Sequence, residues 1–207
     1  MRYEKKAVVS GDKIGFVLAA VWKHPLSFRK QFPDRRVNSI YLDTADFESL
    51  QMNLQGNSQR EKWRMRWYGS LDNKVMINLE RKWKQHLLGG KEIQSLGTFS
   101  KKTYLSALEK VQDRGGYVFP VVKVSYVRQY FISADKQLRL TVDTSINYQK
   151  VQDQQLVFSA IDDLKVVIEL KYDQNHESER MTDSIATLPF RITKNSKYVN
   201  AMKGHWF

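Results

Sequence analysis

Between Arg60 and Tyr68 the chain reads Arg-Glu-Lys-Trp-Arg-Met-Arg-Trp-Tyr, an alternation that constrains the fold more than any other feature. A β-strand sends successive side chains to opposite faces. Arg60, Lys62, Arg64 and Arg66 then share one side, and Trp63, Met65 and Trp67 share the other. An ordinary exposed strand mixes charge signs because like charges two residues apart repel. A run of cations with no acid on the same side suits an anion supplied from outside.

The pattern recurs. Leu79 to Lys84 puts Glu80, Lys82 and Lys84 on one face, and Arg128 stands between Tyr126 and Tyr130. Arg139, Thr141 and Asp143 alternate with Leu138, Leu140 and Val142, and Glu169 and Lys171 alternate with Ile168 and Leu170. Five strands thus carry a polar, mostly cationic side and an apolar side. Such a sheet is either the wet face of an open sheet or the lumen of a barrel braced from outside; the aromatic and aliphatic reverse face favours the barrel.

Other segments fill in an α+β domain rich in antiparallel strands. Residues 2–9 read as a strand. Asp12 is placed to cap a helix in which Ile14, Val17, Leu18 and Val21 recur until Pro25. Val37 to Leu42 reads as a strand, followed by a turn at Asp43, Thr44 and Asp46 and a short helix or loop from Phe47 to Leu54. Arg60–Tyr68 and Lys74–Lys84 form a hairpin, and Thr98–Gln112 a helix that stops before Gly115. Val121–Ile132, Gln137–Asn147 and Leu164–Tyr172 are strands, and Met181–Leu188 a short helix ending at Pro189. With no repeat or linker, residues 1–207 are expected to form a single domain of this kind.

The chain has 207 residues, with 34 Lys and Arg against 22 Asp and Glu and a net charge of +12, which calls for an anionic partner: nucleic acid, acidic lipid or polyphosphate. A hydrophobic content of 42% excludes disorder. Without Cys, and with four scattered His, neither a disulfide scaffold nor a zinc site is available. A metal would need carboxylates and would be hard, Mg²⁺ or Mn²⁺. No run approaches the roughly 20 apolar residues that span a bilayer, and no signal peptide is evident, so a cytoplasmic location is expected.

Eight segments in order resemble the motifs of a known family. They are Arg2-Tyr3-Glu4-Lys5-Lys6, Ser39 to Thr44, Lys62 to Gly69, Leu79 to Lys82, Tyr126-Val127-Arg128, Arg139 to Asp143, Val167 to Tyr172 and Lys194 to Tyr198. Together they are similar to the VTC domain, the inorganic-polyphosphate polymerase module of the triphosphate tunnel metalloenzyme (CYTH-like) superfamily. The resemblance implies a tunnel of eight antiparallel strands braced by a few helices. In it, basic residues would hold phosphates, an acidic residue would hold Mn²⁺ or Mg²⁺, and the γ-phosphoryl group of ATP would pass to a growing polyphosphate end. By position it implies Lys6, Arg64, Arg66, Arg128 and Arg139 as the central phosphate ligands. Lys62, Lys82, Tyr126, Lys171, Lys194, Ser196 and Lys197 would be further substrate contacts, and Glu169 the metal ligand. Glu4 and Glu80 are candidates for metal or ion-pair roles. The wider superfamily's hydrolases begin Glu-x-Glu-x-Lys, whereas Arg2 stands at the first position here, which removes one candidate metal carboxylate. A bare domain of this type looks bacterial.

Set beside this are plainer expectations. Glu80 and Glu169 each lie two residues from a Lys, as an internal ion pair requires. Asp143 is a turn or bracing residue, Tyr3, Tyr41 and Tyr68 pack, and the five Trp belong to the core or a tunnel rim. A hydrolase of tripolyphosphate or nucleoside triphosphate, and a non-catalytic binder of polyphosphate or nucleic acid, are the alternatives to a polymerase. Cations at period two on strands argue against specific nucleic-acid binding.

Overall fold

The computed structural model describes residues 2–70, 75–86, 88–113, 117–152, 155–173 and 187–206. In chain order the elements are β1 (Arg2–Ser10), a 3-10 turn (Gly11–Lys13), α1 (Ile14–Trp22), β2 (Arg29–Asp43), α2 (Glu48–Leu54), β3 (Gln59–Tyr68), β4 (Met76–Gln85), β5 (Leu88–Thr98), α3 (Lys101–Gln112), β6 (Phe119–Ile132), β7 (Leu138–Gln152), β8 (Gln155–Asp163), β9 (Lys165–Asp173) and α4 (Lys197–Trp206). The strands hydrogen-bond in the order β1-β9-β7-β6-β2-β3-β4-β5, with β8 on β7. The expected α+β, antiparallel architecture is present. Among the described residues it has nine strands where eight were expected, and no pairing between β5 and β1 is found.

The chain folds as two compact units. The first comprises Met1–Arg35, Tyr126–Ile146 and Asp163–Asn195, and the second Arg36–Ser125, Asn147–Asp162 and Ser196–Phe207. In the first, β9 is paired with β1 and β7. Ala7, Leu138, Leu140, Val142, Ile168 and Leu170 pack against Val17 and Val21 of α1, which lie four apart and so on one helix face. Each such Leu or Ile contributes roughly 2 kcal/mol by leaving water. Asp12 does not cap α1. It sits in the 3-10 turn, and Gly11 begins that turn because a Cβ there would stand 2.4 Å from the Leu164 carbonyl oxygen.

The second unit repeats the scheme with β2, β3, β4 and β5. Leu42, Trp63, Met65, Trp67, Ile77 and Leu79 form its apolar side, covered by Ala107 and Val111 of α3. Ser100 caps α3 by accepting from the Thr103 amide at 3.0 Å. Both strand faces therefore sort as their period-two patterns require.

Several boundaries differ from the sequence reading. β2 begins at Arg29 and runs through Pro33, well before Val37. β5, β8 and α4 carry no clean periodicity and were not expected; β5 is exposed along most of its length and is held by its pairing with β4. Of the expected helix Met181–Leu188, residues 181–186 lie outside the described residues, and Thr187 and Leu188 form a turn. Tyr68, expected to pack, is partly covered at 41% exposure, Trp22 is half exposed, and Trp63 and Trp67 are core residues.

Candidate functional site

Each unit carries its own cluster of cations and carboxylates on the sheet face opposite its apolar core. In the second unit, strand register decides who meets whom. Lys62 stands opposite Lys82, Arg64 opposite Glu80 and Arg66 opposite Asn78. On the next strand Lys82 faces Lys91, and on the other side Tyr41 faces Arg64 and Ser39 faces Arg66.

Glu80 is the hub of this cluster and is 3% exposed. Arg64 reaches its Oε2 with Nη2 at 2.6 Å and Nε at 2.7 Å, Arg66 Nη1 lies at 3.7 Å, and Lys91 Nζ meets Oε1 at 2.7 Å. Burial alone would raise its pKa, but Arg64, Arg66 and Lys91 hold the carboxyl down at about 2. The ion pair expected for Glu80 therefore exists, with partners on neighbouring strands. Arg66 Nε donates to Ser39 Oγ at 3.0 Å, and Arg64 Nη1 donates to the Tyr41 hydroxyl at 3.2 Å.

Tyr41 packs, as expected, but within this polar cluster. Burial raises its phenol, and Arg64, Arg66 and Lys197 more than offset that, so its pKa falls. Its ring stacks on Tyr198 at 5.0 Å. Tyr198 in turn donates its hydroxyl to Asp43 Oδ2. Asp43 also accepts from the amides of Thr44, Ser49 and Leu50, which ties the start of α2 and the first turn of α4 to one buried carboxylate. Lys62 Nζ donates to Ser196 Oγ at 2.9 Å, just ahead of Lys197, the first residue of α4.

The first unit's cluster is a checkerboard. Glu4 faces Lys171 and Lys6 faces Glu169 across β1 and β9, while Arg139 faces Lys171 and Thr141 faces Glu169 across β7 and β9. Lys6 Nζ lies 2.8 Å from Glu4 Oε1 and donates to the Asn195 carbonyl at 3.2 Å. Glu169 meets Lys171 at 3.1 Å, as its sequence spacing suggested, and Arg128 at 3.2 Å. Arg128 also grips the buried Asp143, which braces it as expected, and its guanidinium lies 5.2 Å from the Tyr126 ring. Burial would raise the Glu169 pKa, but Lys171, Arg128, Lys6 and a hydrogen bond with the Glu4 side chain keep it well below the usual carboxylate range.

The sequence-derived candidates thus separate into two groups. Lys6, Arg128, Arg139, Lys171, Glu4, Glu169 and Tyr126 fall in the first unit, with Lys194 exposed on the segment before α4. Lys62, Arg64, Arg66, Lys82, Glu80, Ser196 and Lys197 fall in the second. Lys91 was missed because β5 itself was not read, and Ser39 because a lone serine on a strand gives no signal.

Among the described residues, no three His, Asp or Glu side chains gather as metal ligands. The available donor set is the adjacent pair Glu4 and Glu169. Two carboxylates suit a hard divalent cation that takes its remaining oxygens from phosphates and water, so the residues fit such an ion.

Comparison with known proteins agrees with this architecture. The model of one family, the VTC domain, matches residues 1–205. No curated protein matches the sequence. The fold is shared with the PH1819 protein of Pyrococcus horikoshii, at 12% identity and a TM-score of 0.61 over 99% of this chain and 100% of that one. An adenylate cyclase candidate from Vibrio parahaemolyticus gives 13% identity and a TM-score of 0.56, covering 98% and 97% of the two chains. HpAC1 from Hippeastrum, an adenylyl cyclase candidate described as having a dominant triphosphatase activity, gives 14% and 0.60, covering 100% and 98%.

Proposed function

The chain belongs to the VTC domain family, and from that premise we propose that it is a phosphoryl transferase that extends inorganic polyphosphate with the γ-phosphoryl group of ATP. One observation carries the reading. On the polar face of β3, β4 and β5, Arg60, Lys62, Arg64, Arg66, Lys82, Lys84 and Lys91 share Glu80 as the one carboxylate among the described residues. That excess of positive charge on one strand face matches a ligand of linked phosphates.

Phosphoryl transfer needs placement and charge neutralisation more than a protein nucleophile. Arg64 and Arg66, held by Glu80, Tyr41 and Ser39, present guanidinium groups whose orientation is already fixed. Lys62, Lys82 and Lys91 add point charges along the next row, and Ser196 and Lys197 add a hydroxyl and an ammonium at the start of α4. In the first unit Lys6, Arg128, Arg139 and Lys171 take the corresponding roles, with Tyr126 beneath Arg128 and Lys194 nearby in sequence. A divalent cation on Glu169 and Glu4 would neutralise phosphate oxygens when bound. In the reaction the bond from the γ-phosphorus to the β,γ-bridging oxygen breaks with its electron pair leaving on ADP, and a terminal polyphosphate oxygen forms the new bond.

The test is product analysis after incubation with ATP and Mn²⁺ or Mg²⁺. Polyphosphate and ADP in step support the reading, and orthophosphate as the main product overturns it in favour of hydrolysis. That second reading draws on the triphosphatase activity described for the Hippeastrum protein. Tighter binding of single-stranded DNA than of tripolyphosphate would overturn both.

A further inference from the structure

α1 reads Ile-Gly-Phe-Val-Leu-Ala-Ala-Val-Trp and is apolar around its whole circumference, yet only Val17 and Val21 are fully buried. A helix of that composition belongs between two layers. Here one side meets the sheet and the other meets solvent. Gly15, Phe16, Ala19 and Trp22 recur at three- and four-residue spacing and are all exposed, with Phe16 at 55% and Trp22 at 50%. Their rings are held at the edges of the stripe, Phe16 edge-on against Phe190 and Trp22 edge-on against Phe131.

A further exposed apolar side chain stands near the helix start. The Leu164 backbone lies against Gly11, and its side chain is 82% exposed. Phe16, Trp22 and Leu164 thus expose three large apolar side chains in one unit, and clustered apolar surface marks contact sites. Exposed cations adjoin these residues along the chain: Lys13 and Lys23 flank the two ends of α1, Lys165 follows Leu164, and Arg191 follows Phe190. Two acids adjoin them, Asp12 and Asp163, and Asp163 is turned onto Lys165 at 3.7 Å.

We propose that this stripe docks on an anionic lipid surface, with α1 lying along the membrane plane. A nine-residue helix is too short to span a bilayer, which takes about 20 residues. An apolar stripe bordered by Lys and Arg is the form that rests at the headgroup boundary, where an exposed Trp is also favoured. A second copy of the chain is a poorer occupant, because a twofold contact would set Lys13, Lys23, Lys165 and Arg191 of one copy against the same basic rim of the other. An anionic leaflet complements all four.

The test is co-sedimentation of the full chain with phosphatidylcholine vesicles, with and without phosphatidylglycerol, in the presence of excess tripolyphosphate to occupy other cationic sites. Binding that requires phosphatidylglycerol and weakens roughly tenfold in Phe16→Asp and in Leu164→Asp supports the proposal. Both positions are exposed, and circular dichroism together with unchanged tripolyphosphate affinity confirms that the variants fold. Equal sedimentation with and without phosphatidylglycerol, equal binding by the variants, or abolition by tripolyphosphate overturns it. So does a dimer in light scattering that Leu164→Asp dissociates.

Discussion

Arg128 holds Asp143 through two parallel hydrogen bonds, Nε to Oδ1 at 2.6 Å and Nη2 to Oδ2 at 2.7 Å, with Asp143 wholly buried. Removing one partner of such a pair leaves an uncompensated charge inside the protein. Arg128→Ala should therefore lower stability by about 3–5 kcal/mol, read as a shift in the urea midpoint. Arg128→Leu combined with Asp143→Leu should recover much of that loss, and a double variant as unstable as the single would show that the pair has a further structural role.

Glu80 predicts an acid limb in the stability curve. Its folded pKa is depressed to about 2, so its contribution is fully present above the unfolded value near 4.5 and is lost as pH falls from there through about 2. The loss should be on the order of 3 kcal/mol. Unfolding midpoints measured across that window by tryptophan fluorescence should fall in the native protein and fall less in Glu80→Gln, which lacks the titrating group.

The Tyr198 to Asp43 hydrogen bond links α4 to the start of α2. Tyr198→Phe should cost about 1 kcal/mol. Asp43→Ala should cost several times as much, because the amides of Thr44, Ser49 and Leu50 lose their acceptor together. Thermal unfolding of the two variants compares them directly, and equal losses would mean that the hydroxyl carries most of the link.

Lys62→Ala should weaken tripolyphosphate binding roughly tenfold if its ammonium contacts a phosphate, since a charge-assisted hydrogen bond contributes about 1.5–3 kcal/mol. Ser196→Ala, which removes the hydroxyl that Lys62 meets, should have a smaller effect. Titration calorimetry gives both, and unchanged affinity in Lys62→Ala would remove it from the proposed site.

Much of this was legible in the sequence because strands write their faces at period two. The side assignments of Arg64, Arg66, Trp63 and Met65 follow from alternation alone, and the structure places each as that rule requires. What alternation does not encode is which strand lies beside which. Glu80 was paired in sequence terms with Lys82, two residues away, but register sets it among Arg64, Arg66 and Lys91. β5 escaped notice because Gly89, Gly90 and Gly97 interrupt any hydrophobic rhythm, and with it went Lys91. α4 was hidden because the polar run Lys194-Asn195-Ser196-Lys197 that leads into it shows no helical spacing of apolar residues.

The carboxylates set among the cations have a consequence for ligand choice. Glu80, Asp143 and Glu169 partly offset the cations they touch, so an incoming anion that takes those cations competes with a counter-ion tethered to the same backbone. A solitary orthophosphate gains little from that exchange. A polymer engages several sites after a single loss of translational freedom, and each later contact is intramolecular. On the proposed function, the built-in acids therefore set a valency threshold, favouring long chains over their own hydrolysis products.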